Sequence, residues 1–336
     1  MEKIILFMAY YGKLPNYFKI WLKAIEFNNS IDFCIITDCI DESQELPTNV
    51  NLLYLSYEDF KFKIQNKFNF KISIKNFGRI SQFRPAFAYI FPEVVEGYQY
   101  WGFIECDLIP GDIRAFITDD ILKTHDKIFK LGHFQIFKNN EKMNTLFMKE
   151  FKSALSYKFA FNKNVLFFEE LLGMQNIANA AECNTYYENI FSDICSYEYM
   201  FNKSVYGYNN SIYAGKCIFE YINGKLFEYE RNEKFELQRR ETLYVHLQKR
   251  RMEVATDDIN HYLIIPNTFL SYTNIDKELF INIEKQADLK EIEYKNSMKE
   301  RFKKDKRERY GQLCWWELAL IRYRIRNNGG IDLNGK

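Results

Sequence analysis

One stretch, residues 98–112, constrains the fold of this chain more than any other. Residues 98–104 are largely apolar and aromatic, as expected of a strand that is buried on both faces of a sheet. Glu105 and Asp107 follow directly, and Pro110 ends the strand. Buried carboxylates are unfavourable unless they are paired or bind a metal, and ligands collect at the carboxyl ends of strands in open α/β sheets. The stretch predicts a Mg²⁺ or Mn²⁺ site that carries a diphosphate or, with equal weight, a strand end whose acids reach solvent.

The first 112 residues alternate strand and helix signals. Apolar runs predict buried strands over residues 3–10, 31–37 and 51–55, and helical spacing predicts a helix over residues 17–27 that Asn16 caps. The strand–helix–strand unit predicts parallel strands. Ligand-type residues follow the strands at Tyr10, Gly12, Asp38, Glu105 and Asp107. This is the layout of a nucleotide-binding α/β half, but neither glycine-rich fingerprint is present, which disfavours an ordinary dinucleotide or P-loop site.

The second half mixes further strands and helices. The clearest signal is a hairpin over residues 218–229 with Asn223 and Gly224 as its turn. Residues 241–251 predict a strand that ends in His246, Gln248 and a basic cluster. Further elements are expected as helices over 113–124, 143–156 and most of 184–200, and as strands over 129–137 and 262–265.

Composition limits the function classes. The 336 residues are 47% hydrophobic with a net charge of +1, so a sizeable core is expected and bulk nucleic-acid binding is not. The seven cysteines include no C-x-x-C pair, which argues against a disulfide framework or zinc cluster and favours a reducing cytoplasm. We expect neither a signal peptide at the N-terminus nor a membrane-spanning run.

The C-terminal region differs in composition. Residues 273–326 predict a basic helical extension, in which an apolar helix over 313–326 ends in arginines. Such a helix either lies on an anionic membrane surface through residues 299–326 or packs on the domain with solvated arginines at its negative end. Residues 327–336 are expected to be disordered.

Four stretches, taken together and in this order, resemble bacterial glycosyltransferase-like proteins of the GT-A type, which are often found with capsule and surface-polysaccharide genes. The resemblance covers residues 3–252, and Gly132-His-Phe134 and Phe168-Glu-Glu170 also match it. The four stretches are Tyr10-Tyr-Gly-Lys-Leu-Pro-Asn-Tyr-Phe18 with Trp21, then Ile35-Ile-Thr-Asp38, then Arg84-Pro-Ala86 with the acidic strand to Ile113, and finally Tyr244-Val-His-Leu-Gln-Lys-Arg250.

The resemblance implies an α/β fold of GT-A-like, Rossmann type, with a mixed, mainly parallel sheet, flanking helices and a C-terminal helical extension. Residues 1–112 would form the half that binds the nucleotide sugar, and residues 113–272 the acceptor-side half. The implied reaction moves a hexose-type sugar from a nucleoside-diphosphate donor, a UDP-sugar first of all, to a surface glycan that is lipid-linked. The implied cofactor is Mn²⁺ or Mg²⁺, and the implied location is the cytoplasm or the inner face of the cell membrane.

The resemblance also assigns roles to residues. Glu105, Asp107 and His246 would hold the metal, where Glu105 replaces the first Asp of the family's Asp-x-Asp motif. Glu170 and Asp107 would be catalytic, with Glu170 on the acceptor side. The donor would be bound by Tyr10, Tyr11, Gly12, Lys13, Thr37, Asp38, Arg84, Glu105, Lys249 and Arg250.

Each assignment has a plain structural alternative. His246 can be a core histidine, Tyr10 and Tyr11 can be core aromatics, and residues 249–252 can be a solvated turn. Glu169 and Glu170 can be a pair of acids at a helix N-terminus. Two other functions compete with the transferase: a nucleotidyltransferase, and a non-catalytic GT-A-like protein that binds glycan or a partner.

Overall fold

The computed structural model describes residues 1–41, 45–163, 167–206, 211–231, 234, 236–248, 250–299 and 303. Within these residues, the strands form two sheets. In chain order the strands are β1 (Ile4–Ala9), β2 (Ile31–Thr37), β3 (Val50–Tyr54), β4 (Tyr100–Ile104), β5 (Leu108–Pro110), β6 (Lys127–Ile128), β7 (Phe134–Lys138), β8 (Thr185–Tyr186), β9 (Ser192–Ile194), β10 (Asn202–Tyr206), β11 (Ser211–Ile222), β12 (Lys225–Arg231), β13 (Leu237–Glu241), β14 (Tyr244–His246), β15 (Glu253–Ala255), β16 (His261–Ile265) and β17 (Thr268–Ser271).

The described helices are mostly short. They are α1 (Phe18–Glu26), α2 (Tyr57–Gln65), α3 (Phe87–Ile90), α4 (Pro92–Val95), α5 (Ile113–Phe116), α6 (Asp119–Thr124), α7 (Glu141–Asn144), α8 (Tyr157–Lys163), α9 (Asn176–Ala180) and α10 (277–299). Two 3-10 segments (Phe77–Ala86 and Leu146–Met148) and one π-helical turn (Leu171–Gln175) complete the set. None of the helices in the described part of the chain is long and apolar enough to cross a membrane.

The first sheet has the order β3-β2-β1-β4-β7-β6-β8. Strands β1 to β4 are mutually parallel, whereas β7 is antiparallel to β4. The chain runs outward from β1 to β3 and then returns to β4 on the other side of β1. This reversal creates a crevice at the carboxyl ends of β1 and β4, where ligands bind in open α/β sheets. The structure confirms the predicted α/β class and its mixed, mainly parallel first sheet.

The second sheet has ten strands, is mostly antiparallel, and was not predicted as a sheet. It contains the predicted hairpin of β11 and β12, whose turn residues Asn223 and Gly224 both have positive φ angles, 47° and 85°. Strand β14 lies between β5 and β9. Its register places His246 opposite Leu108 on one side and opposite Asp193 on the other. The second sheet thus brings His246 to the end of the acidic strand.

Several local predictions were wrong. The segment predicted as a helix over 184–200 forms strands β8 and β9 instead, because β9 pairs with β10 and β14. The predicted helix over 113–124 is divided into α5 and α6, each capped by its own side chain, and the predicted helix over 143–156 is limited to α7 and a 3-10 turn. Asn16 does not cap α1; its Nδ2 donates to the carbonyl of Met252 at 2.9 Å.

Hydrophobic residues fill both faces of the first sheet. Trp21 and Phe33 pack on one face, and Phe7 and Trp101 on the other, all fully buried. A smaller cluster, which includes Phe280, seats α10 against the second sheet. The structure confirms a C-terminal helix, which spans 277–299 within the predicted extension 273–326 and packs on the second sheet. The basic helix expected over 313–326 and the tail 327–336 lie outside the described residues.

Candidate functional site

A cleft of about 1250 Å³ opens at the crevice between β1 and β4. The ends of these strands contribute Tyr10, Glu105 and Asp107, and β14 contributes His246. Glu170 lies on the wall of the same cleft. The fold therefore brings both predicted catalytic acids and all three predicted metal ligands into one cavity.

The predicted metal ligands converge. His246 Nε2 lies 3.6 Å from Glu105 Oε2 and 3.7 Å from Asp107 Oδ2. One ligand atom from each residue lies within 4.8 Å of the others. Two atoms that each bind the same ion at about 2.1 Å are at most about 4.2 Å apart. The three side chains are therefore arranged closely enough to bind one divalent ion after a small adjustment.

Asp193 orients the imidazole of His246. Its Oδ1 lies 2.9 Å from His246 Nδ1 and also accepts a hydrogen bond from Gln248 Nε2. Asp193 therefore accepts the Nδ1 proton, so that Nε2 is the nitrogen that faces Glu105 and Asp107 and that can bind a metal once it releases its own proton. Nε2 is buried and has no hydrogen-bond partner among the described residues. A carboxylate behind a histidine whose other nitrogen faces two acids fits a Mn²⁺ or Mg²⁺ site.

The pKa of His246 reflects the carboxylates that surround it. Burial alone would lower the pKa of His246, but the carboxylates of Asp193 and Asp107 outweigh it and raise the pKa well above its usual value. Its neighbour His133, 4.3 Å away between ring centroids, hydrogen-bonds Tyr244 Oη at 2.8 Å. Burial and the nearby His246 lower the pKa of His133 to about 4, so this second imidazole stays neutral. The carboxylates of Glu105, Asp107 and Asp193 thus surround His246, and a divalent cation that displaces its proton would meet the same carboxylates.

Arg84 lies beside the metal ligands. Its Nη1 donates to Glu105 Oε1 at 2.6 Å and to the carbonyl of Gly132 at 2.8 Å. Glu105 thus offers one carboxylate oxygen to Arg84 and the other to the side of His246. The guanidinium lines the cleft, in keeping with the predicted position next to a donor diphosphate or sugar.

Glu169 and Glu170 pack against Gly132. A Cβ atom at position 132 would lie within 2.9 Å of side-chain atoms of both glutamates, so only glycine fits there. Glu169 is buried, and its burial raises its pKa although Arg84 opposes the shift. Glu170 is half-buried and precedes the π-helical turn Leu171–Gln175. Such turns are frequent at functional sites.

The residues predicted to bind the donor are divided between cleft and core. Tyr10 and Lys13 line the cleft, and the Tyr10 hydroxyl donates to the carbonyl of Lys13 at 2.9 Å. Tyr11 also lines it but is only 4% exposed. Gly12 has a φ of 96° and turns the chain beside the cleft.

Thr37 and Asp38 make local contacts at the end of β2. Thr37 is fully buried and its Oγ1 accepts a hydrogen bond from the amide of Cys39. Asp38 Oδ2 accepts from the amide of Tyr57 at the start of α2. Neither residue lines the cleft. The predicted contact of this pair with the donor therefore remains a hypothesis, and both side chains have other partners in the structure.

The residues of the basic cluster predicted after β14 differ in their surroundings. Lys249 lies outside the described residues. Arg250 is buried, and its guanidinium donates to the carbonyls of Cys195, Glu198 and Tyr199 and to Asn267 Oδ1. A phosphate would have to displace these contacts. The exposed Arg251 lines the cleft and is the more accessible cation.

Sequence reasoning missed three residues of this site: Asp193, Gln248 as a partner of Asp193, and Arg251. Asp193 was not identified as a site residue because most of residues 184–200 were predicted to form a helix. The acid within the short apolar run 190–195 was the available signal, but three-residue strands have little periodicity.

The fold and site define a mixed α/β protein with a candidate metal centre at its topological switch point. Residues 6–273 match the description "Family of unknown function (DUF6625)", and the chain belongs to this family. No curated protein matches the chain.

The solved structures that are similar to part of the chain include two glycosyltransferases. One is the galactosyltransferase LgtC in complex with donor and acceptor sugar analogues, at 11% identity and a TM-score of 0.34, covering 57% of this chain and 75% of that one. The other is the apo form of the glycosyltransferase GlyE in Streptococcus pneumoniae TIGR4, at 12% identity and a TM-score of 0.30, covering 56% of this chain and 46% of that one. Because both TM-scores are low, the function proposed below rests on this chain's own site.

Proposed function

We propose that this protein is a metal-dependent glycosyltransferase that transfers a hexose-type sugar from a nucleoside-diphosphate donor. The observation that carries the proposal is His246 Nε2, a buried nitrogen without a hydrogen-bond partner among the described residues, which faces Glu105 and Asp107 in a large cleft. Asp193 holds its imidazole in the tautomer that a metal ligand needs. A core histidine would instead satisfy both nitrogens within the protein.

Asp107, Glu105 and His246 would hold Mn²⁺ or Mg²⁺. When bound there, the ion would act as a Lewis acid toward the diphosphate oxygens that gain charge as the sugar leaves. Asp107 is buried and sits at the end of the acidic strand, so it would anchor the ion. Glu105 would share its carboxylate between the ion and the guanidinium of Arg84.

The side chains of Lys13 and Arg251 would bind the diphosphate from the cleft rim. Both are exposed, and both line the cleft. The hydrogen bond from Asn16 to the carbonyl of Met252 links the two segments that carry them, so the two cations belong to the same rim. Arg251 would supply a bidentate fork and Lys13 a point charge. The donor base would be uracil in the first instance.

Glu170 would act on the acceptor side. Transfer breaks the bond from the anomeric carbon to the diphosphate oxygen, forms one to the acceptor oxygen, and releases the acceptor's proton. Glu170 is half-buried on the cleft wall, where it would orient the acceptor hydroxyl and accept that proton. The neighbouring Leu171 and Leu172 offer apolar surface for the acceptor. A lipid-linked glycan is proposed as this acceptor because residues 299–326 are strongly basic.

Calorimetric and thermal-shift titration with nucleoside diphosphates tests the proposal directly. A ligand at a hundredfold excess over its Kd stabilises the native state by about 2.7 kcal/mol. We expect the diphosphate of one nucleoside to raise the melting temperature in the presence of Mn²⁺ and not in the presence of EDTA. The nucleotide sugar with the same base should turn over only when the metal is present. Asp107→Asn should lose the shift. Asp112→Asn, which changes an acid of the same stretch that caps α5, should keep it. No response to any nucleotide with Mn²⁺ would refute the proposal.

A further inference from the structure

Phe77 is an aromatic ring left exposed on the wall of the cleft. It begins the 3-10 segment Phe77–Ala86, lines the cleft and is 47% exposed. Two aromatic rings that follow it are fully buried, Phe83 in the same segment and Phe87 at the start of α3. An apolar ring that is held at a cavity wall and left open to the cavity is suited to contact a ligand.

The ring of Phe77 is supported by its neighbours. Tyr57 packs at 4.7 Å between centroids and at 88°, and Tyr11 lies at 6.3 Å. Behind it, Gly12 adopts a φ of 96°, and a Cβ there would lie 3.0 Å from Phe77 Cδ2. Glycine at position 12 therefore permits both the turn and the seating of the ring. These contacts fix the ring at little entropic cost to a ligand that binds it.

The cleft wall continues from the metal ligands to Phe77. Asp107 and Tyr10 line the same cleft, and the Tyr10 hydroxyl donates to the carbonyl of Lys13. Gly12 directly precedes Lys13 in the chain, and a Cβ atom at position 12 would lie 3.0 Å from the ring of Phe77. A diphosphate bound between Asp107 and Lys13 would therefore direct its nucleoside along this wall. Tyr11, which was predicted to bind the donor, is too deeply buried to offer a ring face to the base.

We infer that Phe77 is the platform on which the nucleobase of the donor stacks, an inference that rests on the proposed function and identifies its nucleoside subsite. Base–aromatic stacking tolerates every base because each has a π-face. Phe77 would therefore strengthen nucleotide binding without choosing the base. This contribution of Phe77 to the binding affinity should be measurable for a nucleoside diphosphate and absent for inorganic pyrophosphate, which has no base.

The test compares UDP, GDP, ADP, CDP and pyrophosphate, each with Mn²⁺, by calorimetry on the full chain. In Phe77→Leu, which keeps an apolar side chain and loses the π-face, we expect the tightest nucleoside diphosphate to bind about tenfold or more weakly and pyrophosphate to bind as in wild type. Phe77→Tyr should stay within about twofold of wild type. The control is Phe62→Leu, because Phe62 is a 67% exposed ring on α2 that does not line the cleft.

Two outcomes would overturn the inference: unchanged nucleotide affinity in Phe77→Leu, or equal weakening of nucleotide and pyrophosphate. A wild-type protein that binds none of the probes would instead refute the proposed function itself. Melting temperatures of all variants separate folding defects from binding defects. If Phe77→Leu is unstable, Phe77→Met provides the same loss of the π-face with a more flexible side chain.

Discussion

Replacing Asp193 tests the metal site through a residue that would not touch the ion. Asp193 is buried, and it accepts hydrogen bonds from His246 Nδ1 at 2.9 Å and from Gln248. Asp193→Asn can keep both bonds through its amide oxygen while it loses the negative charge. Asp193→Ala removes both bonds and leaves the imidazole free to rotate or change tautomer. The pair of variants therefore separates charge from orientation.

The size of the effect follows from the position of Asp193 behind the ligand. Loss of such an outer carboxylate lowers metal affinity by about 10–100-fold, or about 1.4–2.7 kcal/mol. We expect Asp193→Asn near the lower end and Asp193→Ala near the upper end, because only the second frees the imidazole. Mn²⁺ titration by calorimetry in two buffers of different ionisation enthalpy also counts released protons. A change in the pKa of His246 is thereby separated from a change in metal affinity.

Asp112→Asn is the matched control, since Asp112 belongs to the same acidic stretch but caps α5 through the amide of Ala115. It should leave Mn²⁺ affinity unchanged. The reasoning would be refuted if Asp193→Ala bound Mn²⁺ within about twofold of wild type and remained folded. In that case His246 would not be a ligand, or its orientation would be set by β14 alone.

Three further predictions concern the surroundings of the site. Gly132→Ala should lower turnover by roughly 10–100-fold with a smaller effect on melting temperature, because the new methyl group displaces the acids at 169–170; full activity would contradict the packing. Because the pKa of His246 is raised in the metal-free protein, Mn²⁺ binding at neutral pH should release a proton and weaken as pH falls, and a pH-independent affinity would exclude this ligand. Tyr294→Phe on α10 removes a hydrogen bond of 2.9 Å to the carbonyl of Ser196 and should destabilise the protein by about 1 kcal/mol in calorimetry, whereas Lys295→Ala, which loses only a surface ion pair, should change stability by less.

The first sheet was predictable because its parallel strands are buried on both faces. Strands of this kind read as continuous apolar runs, and β1, β2 and β4 were identified in this way. The hairpin of β11 and β12 was predictable for a different reason, since Asn-Gly strongly favours the required turn. In both cases the signal lies within a few consecutive residues.

Other parts of the second sheet were harder to predict, although strands were expected where β14 and β16 lie. Strands β5, β9 and β14 have only three residues each, and their pairing partners are distant in the chain. Tertiary pairing decides their conformation, so local propensity predicted a helix where β9 lies. The same limit applies to the site: Asp193 meets His246 only through the register of β9 and β14. Glu105, Asp107 and His246 were found because motifs surround them, whereas Asp193 has none.

Glu105 supports the enzyme over a non-catalytic relative. From the sequence alone, Glu105 suggested a loss of catalytic function, because its longer side chain replaces the first acid of an Asp-x-Asp motif. In the structure one carboxylate oxygen meets Arg84 at 2.6 Å while the other lies 3.6 Å from His246 Nε2. Arg84 in turn is held by the carbonyl of Gly132, the glycine against which Glu170 packs. Arg84 thus connects the carboxylate of Glu105 to the part of the cleft wall that carries Glu170, and this connection between the candidate metal ligands and the proposed acceptor-side acid favours the proposed enzyme.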